Sequence, residues 1–138
     1  RWLDEGGLAG LLADRTLPGG SDRSRTLSID FLGQPARFSD GPFRLAAMLR
    51  RKVVFMAGLY LGGNRYDLRF VELADFRPGA DVAGQDTATR LQQTDTRVDE
   101  ALRRYVTLLE TLCRESPYNW FNFFDFWATD AADSPAAR

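Results

Sequence analysis

The sequence contains no histidine and only one cysteine, Cys113. The first absence removes Ser-His-Asp and Cys-His catalysis, imidazole metal ligands and the usual general base near neutral pH. The second excludes an internal disulfide and a multi-cysteine zinc site. Lysine is almost missing too: Lys52 stands alone beside 17 arginines. Genomic base composition explains that bias at least as readily as an anion-binding role. No uninterrupted apolar run reaches the roughly 18–20 residues of a membrane-crossing helix. Any chemistry done by these residues alone falls to carboxylates, arginine, tyrosine or the one thiol.

What is present fits one ordinary globular domain. The chain has 138 residues, 44% of them apolar and 27% charged, enough for a single sizeable core. Net charge is −1, yet residues 1–69 sum to +4 and residues 70–138 to −5. That balance argues against nucleic acid as a partner and leaves the basic half able to meet one anionic ligand. The first residue is arginine rather than methionine. A helix end also reads straight into an apolar run, so the expectation is a piece of a longer protein.

Periodicity predicts an α/β chain with a mixed sheet flanked by helices. Leu8–Ala13 is a short continuous apolar run and reads as a central strand covered on both faces. Residues 16–25 are a loop rich in glycine, proline, serine and arginine. Leu27, Ile29 and Phe31 alternate as a half-buried strand, Gly33-Gln34 turns the chain, and Pro35–Phe38 returns. Ser39-Asp40-Gly41-Pro42 begins a helix, Pro42–Arg51, with Asp40 or Ser39 as cap and Arg50, Arg51 and Lys52 at its carbonyl end. Val53–Leu61 reads as a second buried strand, Gly62-Gly63-Asn64 as a tight hairpin, and Arg65–Leu73 as its return. Ala74–Gln93 is a surface connection. Asp95–Glu115 is the clearest helix, with Val98, Leu102, Tyr105, Val106, Leu109, Leu112 and Cys113 in one stripe. Trp120, Phe123, Phe124 and Trp127 then recur at helical spacing.

Several places carry candidate chemistry. Asp14-Arg15 follows the carboxyl end of the expected central strand, where open α/β sheets bind ligands. The loop beyond adds Gly19, Gly20, Arg23 and Arg25, and arginine holds phosphate or carboxylate bidentately; a loop salt bridge is the structural alternative. Gly41-Pro42 opens a helix whose free amides suit an anion, although a capped structural helix explains the same residues. Asn64 and Arg65 lie at a hairpin tip, a position that is usually solvated. Tyr118–Trp127 packs seven large aromatics into ten residues: a plug for the core, an acyl-chain wall, a membrane-facing belt or a partner surface. Phe121 and Phe126 fall partly off the helical face and are the excess that core packing does not use. Cys113 reads as an inert buried thiol, since no histidine can activate it.

Three stretches, GGLAGLLADR, FLGQPARFSDGPFRLAAMLRRKVVFMAGLYLGGNRYDLRF and SPYNWFNFFDFW, resemble the C-terminal half of bacterial lysophospholipid and lipid A biosynthesis-type acyltransferases. The resemblance spans roughly Gly7–Trp127. It implies residues 1–130 as the C-terminal portion of one acyltransferase domain, with a C-terminal aromatic helix, and 131–138 as a disordered tail. It implies transfer of a fatty acyl group from an acyl-carrier-protein or acyl-coenzyme A thioester to a hydroxyl of a lipid or glycolipid. The family's base is the histidine of an HxxxxD motif, which would lie in a missing N-terminal half, so no catalytic residue is expected here. What carries over is acceptor binding by Asp14 and Arg15, with Arg23 and Arg25 beside them, and a helix start at Gly41 and Pro42 near the site. Asp14-Arg15 departs from the family's Glu-Gly-Thr-Arg type motif, and Phe55 and Met56 stand where relatives have proline. Phe121, Phe126 and Trp127 would line an acyl groove or face a membrane. No metal and no cofactor beyond the acyl donor are implied. The implied partners are the N-terminal half, acyl-carrier protein, a lipid acceptor and the inner-membrane surface, with no nucleic acid. The implied location is the cytoplasm or the periphery of the inner membrane. A homo-oligomer driven by truncation is a further expectation, and a non-catalytic lipid- or protein-interaction module using the aromatic segment is the competing one.

Overall fold

The computed structural model describes residues 2–13, 25–78, 86–121 and 126–127. Strand β1 (Thr26–Phe31) pairs antiparallel with β2 (Gln34–Ser39), and β3 (Lys52–Tyr60) pairs antiparallel with β4 (Tyr66–Asp75). Helix α1 (Gly41–Met48) joins the two hairpins, and the 29-residue helix α2 (Thr87–Glu115) packs against β1, β4 and α1. The chain is therefore a small α/β fold, but the sheets are two separate two-stranded antiparallel ladders rather than one mixed sheet. The connections explain this: two residues join β1 to β2 and five join β3 to β4. Only antiparallel strands close over links that short.

The β1–β2 turn is Leu32-Gly33, both at positive φ (54° and 86°), the two-residue geometry that matches strand twist. The turn thus sits one residue earlier than the pattern predicts. Alternation then carries Phe31, Ala36 and Phe38 into the core. In the second hairpin Phe55 and Leu59 of β3 and Leu73 of β4 point inward. A register shift between Val53 and Val54 skips Leu73, so that both Leu73 and its neighbour Ala74 reach the core. Val53–Leu61 is not buried on both sides as expected, because Val54, Met56 and Tyr60 face solvent.

Helix α2 buries Val98, Ala101, Leu102, Tyr105, Val106 and Cys113, the stripe that the spacing predicts. It begins eight residues earlier than expected, because Asp86 caps it by accepting the Thr89 N–H at 2.6 Å. Its first turns lack core contacts, and Leu91 is exposed.

Helix α1 ends at Met48, before the basic residues assigned to its last turn. Arg50 takes a left-handed conformation (φ 54°), its N–H donates to Ala47 O, and the Arg51 N–H donates to Ala46 O. These are the two bonds of a Schellman stop, which glycine normally serves. Side chains disfavour that conformation by roughly 1–2 kcal/mol, partly offset in glycine by a looser unfolded chain. Arg50→Gly is therefore expected to stabilise the protein by about 0.5–1 kcal/mol, read as a higher urea midpoint; an unchanged or lower midpoint would contradict this account of the helix end.

One sequence expectation fails here and another is only partly described. Leu8–Ala13 forms no strand, and Leu8, Leu11 and Leu12 are 87%, 57% and 73% exposed. Apolar character gives a segment a reason to be covered but no ladder partner, and neither hairpin pairs with it. Where the aromatic helix is expected, the described residues show one 3-10 turn, Pro117–Asn119, and extended backbone at Trp120, while 122–125 lie outside them. Ser116 leaves the helical region (φ −140°, ψ 66°) just before Pro117. Phe123, Phe124 and the tail 131–138 lie outside the described residues. No described helix is long and apolar enough to cross a membrane.

Candidate functional site

Asp14, Arg15 and Arg23 lie outside the described residues, so the structure places only Arg25 of the expected acceptor-binding set. Arg25 immediately precedes β1. Its backbone N–H and Nε donate to the two carboxylate oxygens of Asp40, at 2.7 and 3.2 Å, and its Nη2 reaches Asp99 at 3.0 Å. Asp40 is fully buried. Arg44, one turn into α1, donates from Nε to Asp40 at 2.7 Å and from Nη1 to Asp95 at 2.8 Å. Burial pulls the Arg44 guanidinium down, but its hydrogen bonds to Asp95 and Asp40 outweigh that and raise it above its ordinary value. The cluster therefore locks β1, α1 and α2 together. Arg25 is engaged by two carboxylates rather than presented to an anion.

The start of α1 is similarly occupied. Asp40 does not cap it; its carboxylate turns to the arginines instead. Ser39 Oγ accepts the Gly41 N–H at 3.1 Å, and Pro42 has no N–H to offer. Gly41 and Pro42 themselves thus have no free amide to offer an anion. Asn64 and Arg65 are exposed at the β3–β4 tip.

The aromatic segment is divided. Phe31 stands at the centre of a ring cluster, with centroids 5.7 Å from Phe38, 5.5 Å from Trp120, 5.3 Å from Phe126 and 6.2 Å from Trp127. Phe126, expected to line a groove or face a membrane, is buried in the core, and Trp127 is half-buried beside it. Tyr118 and Phe121 are 91% and 67% exposed. Between them in sequence, Asn119 makes a contact that no sequence pattern signals. Its Oδ1 accepts the Tyr60 N–H at 2.6 Å, and its Nδ2 donates to Tyr60 O at 3.4 Å. The side-chain amide thereby stands in for a neighbouring strand at the end of β3.

Cys113 is buried on α2, and desolvation together with the nearby Glu110 carboxylate raises its thiol above the ordinary value, the reverse of what a nucleophile needs. Among the described residues no group of three or more acidic or cysteine side chains is placed to hold a metal ion. What the arrangement offers chemically is exposed aromatic side chains at Tyr118 and Phe121 and a charge cluster whose two arginines are engaged by three carboxylates. The chain matches no known protein family, no curated protein and no solved structure.

Proposed function

We propose that this chain is the acceptor-side half of an acyltransferase domain that moves a fatty acyl group from an acyl-carrier-protein or acyl-coenzyme A thioester to a hydroxyl of a lipid or glycolipid. The observation that supports it is the meeting of two of the three stretches on which the acyltransferase resemblance rests. Phe31 and Phe38 of FLGQPARF pack on Trp120, Phe126 and Trp127 of PYNWFNFFDFW. Asn119 of that same last stretch holds the backbone of Tyr60 in VVFMAGLY. In this reading Asp14 and Arg15 orient the acceptor, and the proton is taken by a histidine that these residues do not supply.

The test has two arms. The coding sequence upstream of Arg1 should carry HxxxxD within about a hundred residues, and its absence would overturn the proposal. In the longer enzyme, Asp14→Ala and Arg15→Ala should each lower thioester-dependent turnover by about 10²-fold, as loss of an orienting contact does; wild-type rates from both would reject their role.

A second reading, an interaction module without catalysis, draws support from the exposure of Tyr118 and Phe121. Loss of vesicle binding in a folded Tyr118→Ala/Phe121→Ala double variant, together with no upstream HxxxxD, would favour it. Trp120 and Trp127 cannot serve as probes here, because both are built into the ring cluster.

A further inference from the structure

The β3–β4 hairpin carries apolar residues on both faces, and among the described residues only one of them is covered. Inward residues meet α2. On the other face Val54, Met56, Tyr60, Tyr66, Leu68 and Phe70 are 49%, 68%, 45%, 63%, 61% and 62% exposed. Ladder register makes them one continuous strip: Met56 lies opposite Phe70, Gly58 opposite Leu68, and Tyr60 opposite Tyr66, whose rings are 5.4 Å apart. A Cβ on Gly58 would approach Leu68 to 3.3 Å, so Leu68 spreads over the glycine and levels the strip. Its charges are confined to one end, where Lys52 and Glu72 neutralise each other at 2.8 Å.

We propose that this face is the contact between two copies of the chain, packed sheet on sheet about a two-fold axis. Three features select a second copy. At roughly 150–250 Å² per aromatic side chain, and somewhat less for the aliphatic ones, these exposures leave on the order of 600–700 Å² of apolar surface. That exceeds the roughly 300–600 Å² patch of an ordinary monomer and approaches the ~800 Å² that each partner buries in a stable interface. The strip has no unpaired charge to select a charged partner or to draw the surface onto lipid headgroups. A level antiparallel ladder is self-complementary and stacks on its own image at the usual ~10 Å sheet separation. The inference uses none of the residues assigned to acyl transfer, so substitutions on this face test it apart from that function.

Sedimentation equilibrium of the 138-residue chain, from micromolar to a few hundred micromolar, tests it. A reversible dimer is expected, and Phe70→Glu should weaken it at least 100-fold while leaving the far-ultraviolet circular dichroism unchanged. Should Phe70→Glu disturb the fold, Met56→Gln at the facing position is read in its place, with a loss of at least tenfold. A monomer throughout the range overturns the proposal, as does a dimer indifferent to the folded variant. Binding of the chain to phosphatidylcholine vesicles without self-association also overturns it, and assigns the face to lipid.

Discussion

Phe31→Ala is expected to cost about 3–5 kcal/mol, the largest effect of any single truncation in the chain. Phe31 is fully buried, and its ring touches four others contributed by β2 and the C-terminal segment. Removing it deletes its own transfer free energy and opens a cavity. The rings around that cavity cannot collapse, because each is braced by another: Trp120 against Phe126 at 5.3 Å, and Phe38 against Phe126 at 5.6 Å. In a domain with a total stability of roughly 5–15 kcal/mol, such a loss leaves a measurable unfolded fraction at physiological temperature. Urea unfolding followed by circular dichroism gives the magnitude. Tryptophan emission is expected to shift red even before global unfolding, since two of the three tryptophans border the cavity. Phe31→Leu should recover more than half of the loss. If Phe31→Ala cost less than 1 kcal/mol, the aromatic segment would not be anchored on β1 as described.

The second large effect falls on a charge. Asp40→Ala is expected to cost about 2–4 kcal/mol, somewhat under the range for breaking a wholly buried pair. The carboxylate is inaccessible, whereas its partners Arg44 and Arg25 are 25% and 52% exposed and keep Asp95 and Asp99. Without Asp40 the Arg25 N–H and the Nε atoms of both arginines lose an acceptor inside a part-buried site. The ordering sharpens the test. Arg25→Ala should cost well under 1 kcal/mol, because its guanidinium is half in water, and Arg44→Ala should fall between the two. Equal effects from all three would mean that the cluster acts as a surface network rather than around a buried carboxylate.

Legibility in the sequence followed physical locality. The α2 stripe and the strand alternation in 27–31 depend on side chains burying on one face of their own element, and both are legible in the sequence. The true start of α2 is hidden because residues 87–93 offer only Ala88 and Leu91 as apolar residues; the cap at Asp86, not periodicity, sets it. The turn at Leu32-Gly33 was misplaced by one residue because leucine at positive φ leaves no composition signal. Leu8–Ala13 misled for the opposite reason: its composition asks for a two-sided strand, but a strand exists only where another edge receives it. The same ambiguity hid the outward face of β3–β4, since a run apolar at every position does not say which side is covered. Of the expected site, Arg25 and the Gly41-Pro42 helix start were locatable as positions. Their occupation by Asp40, Asp99 and Ser39 depends on tertiary neighbours. Asn119 was missed because its partner is the backbone of Tyr60, 59 residues away, and backbone carries no sequence signature.

The separation of the two hairpins bears on how the chain acquires its structure in time. Each ladder closes over its own short turn, with no strand waiting for a distant partner, so both can form on the microsecond scale of isolated hairpins. The slow event is then the arrival of α2 and of the aromatic segment behind it, whose contacts with β1 bridge long sequence separations. Destabilising substitutions at Val98 or Leu102 should accordingly slow folding, whereas changes within either turn should mainly quicken unfolding. Native-state amide exchange should show the two ladders opening as separate units rather than as one.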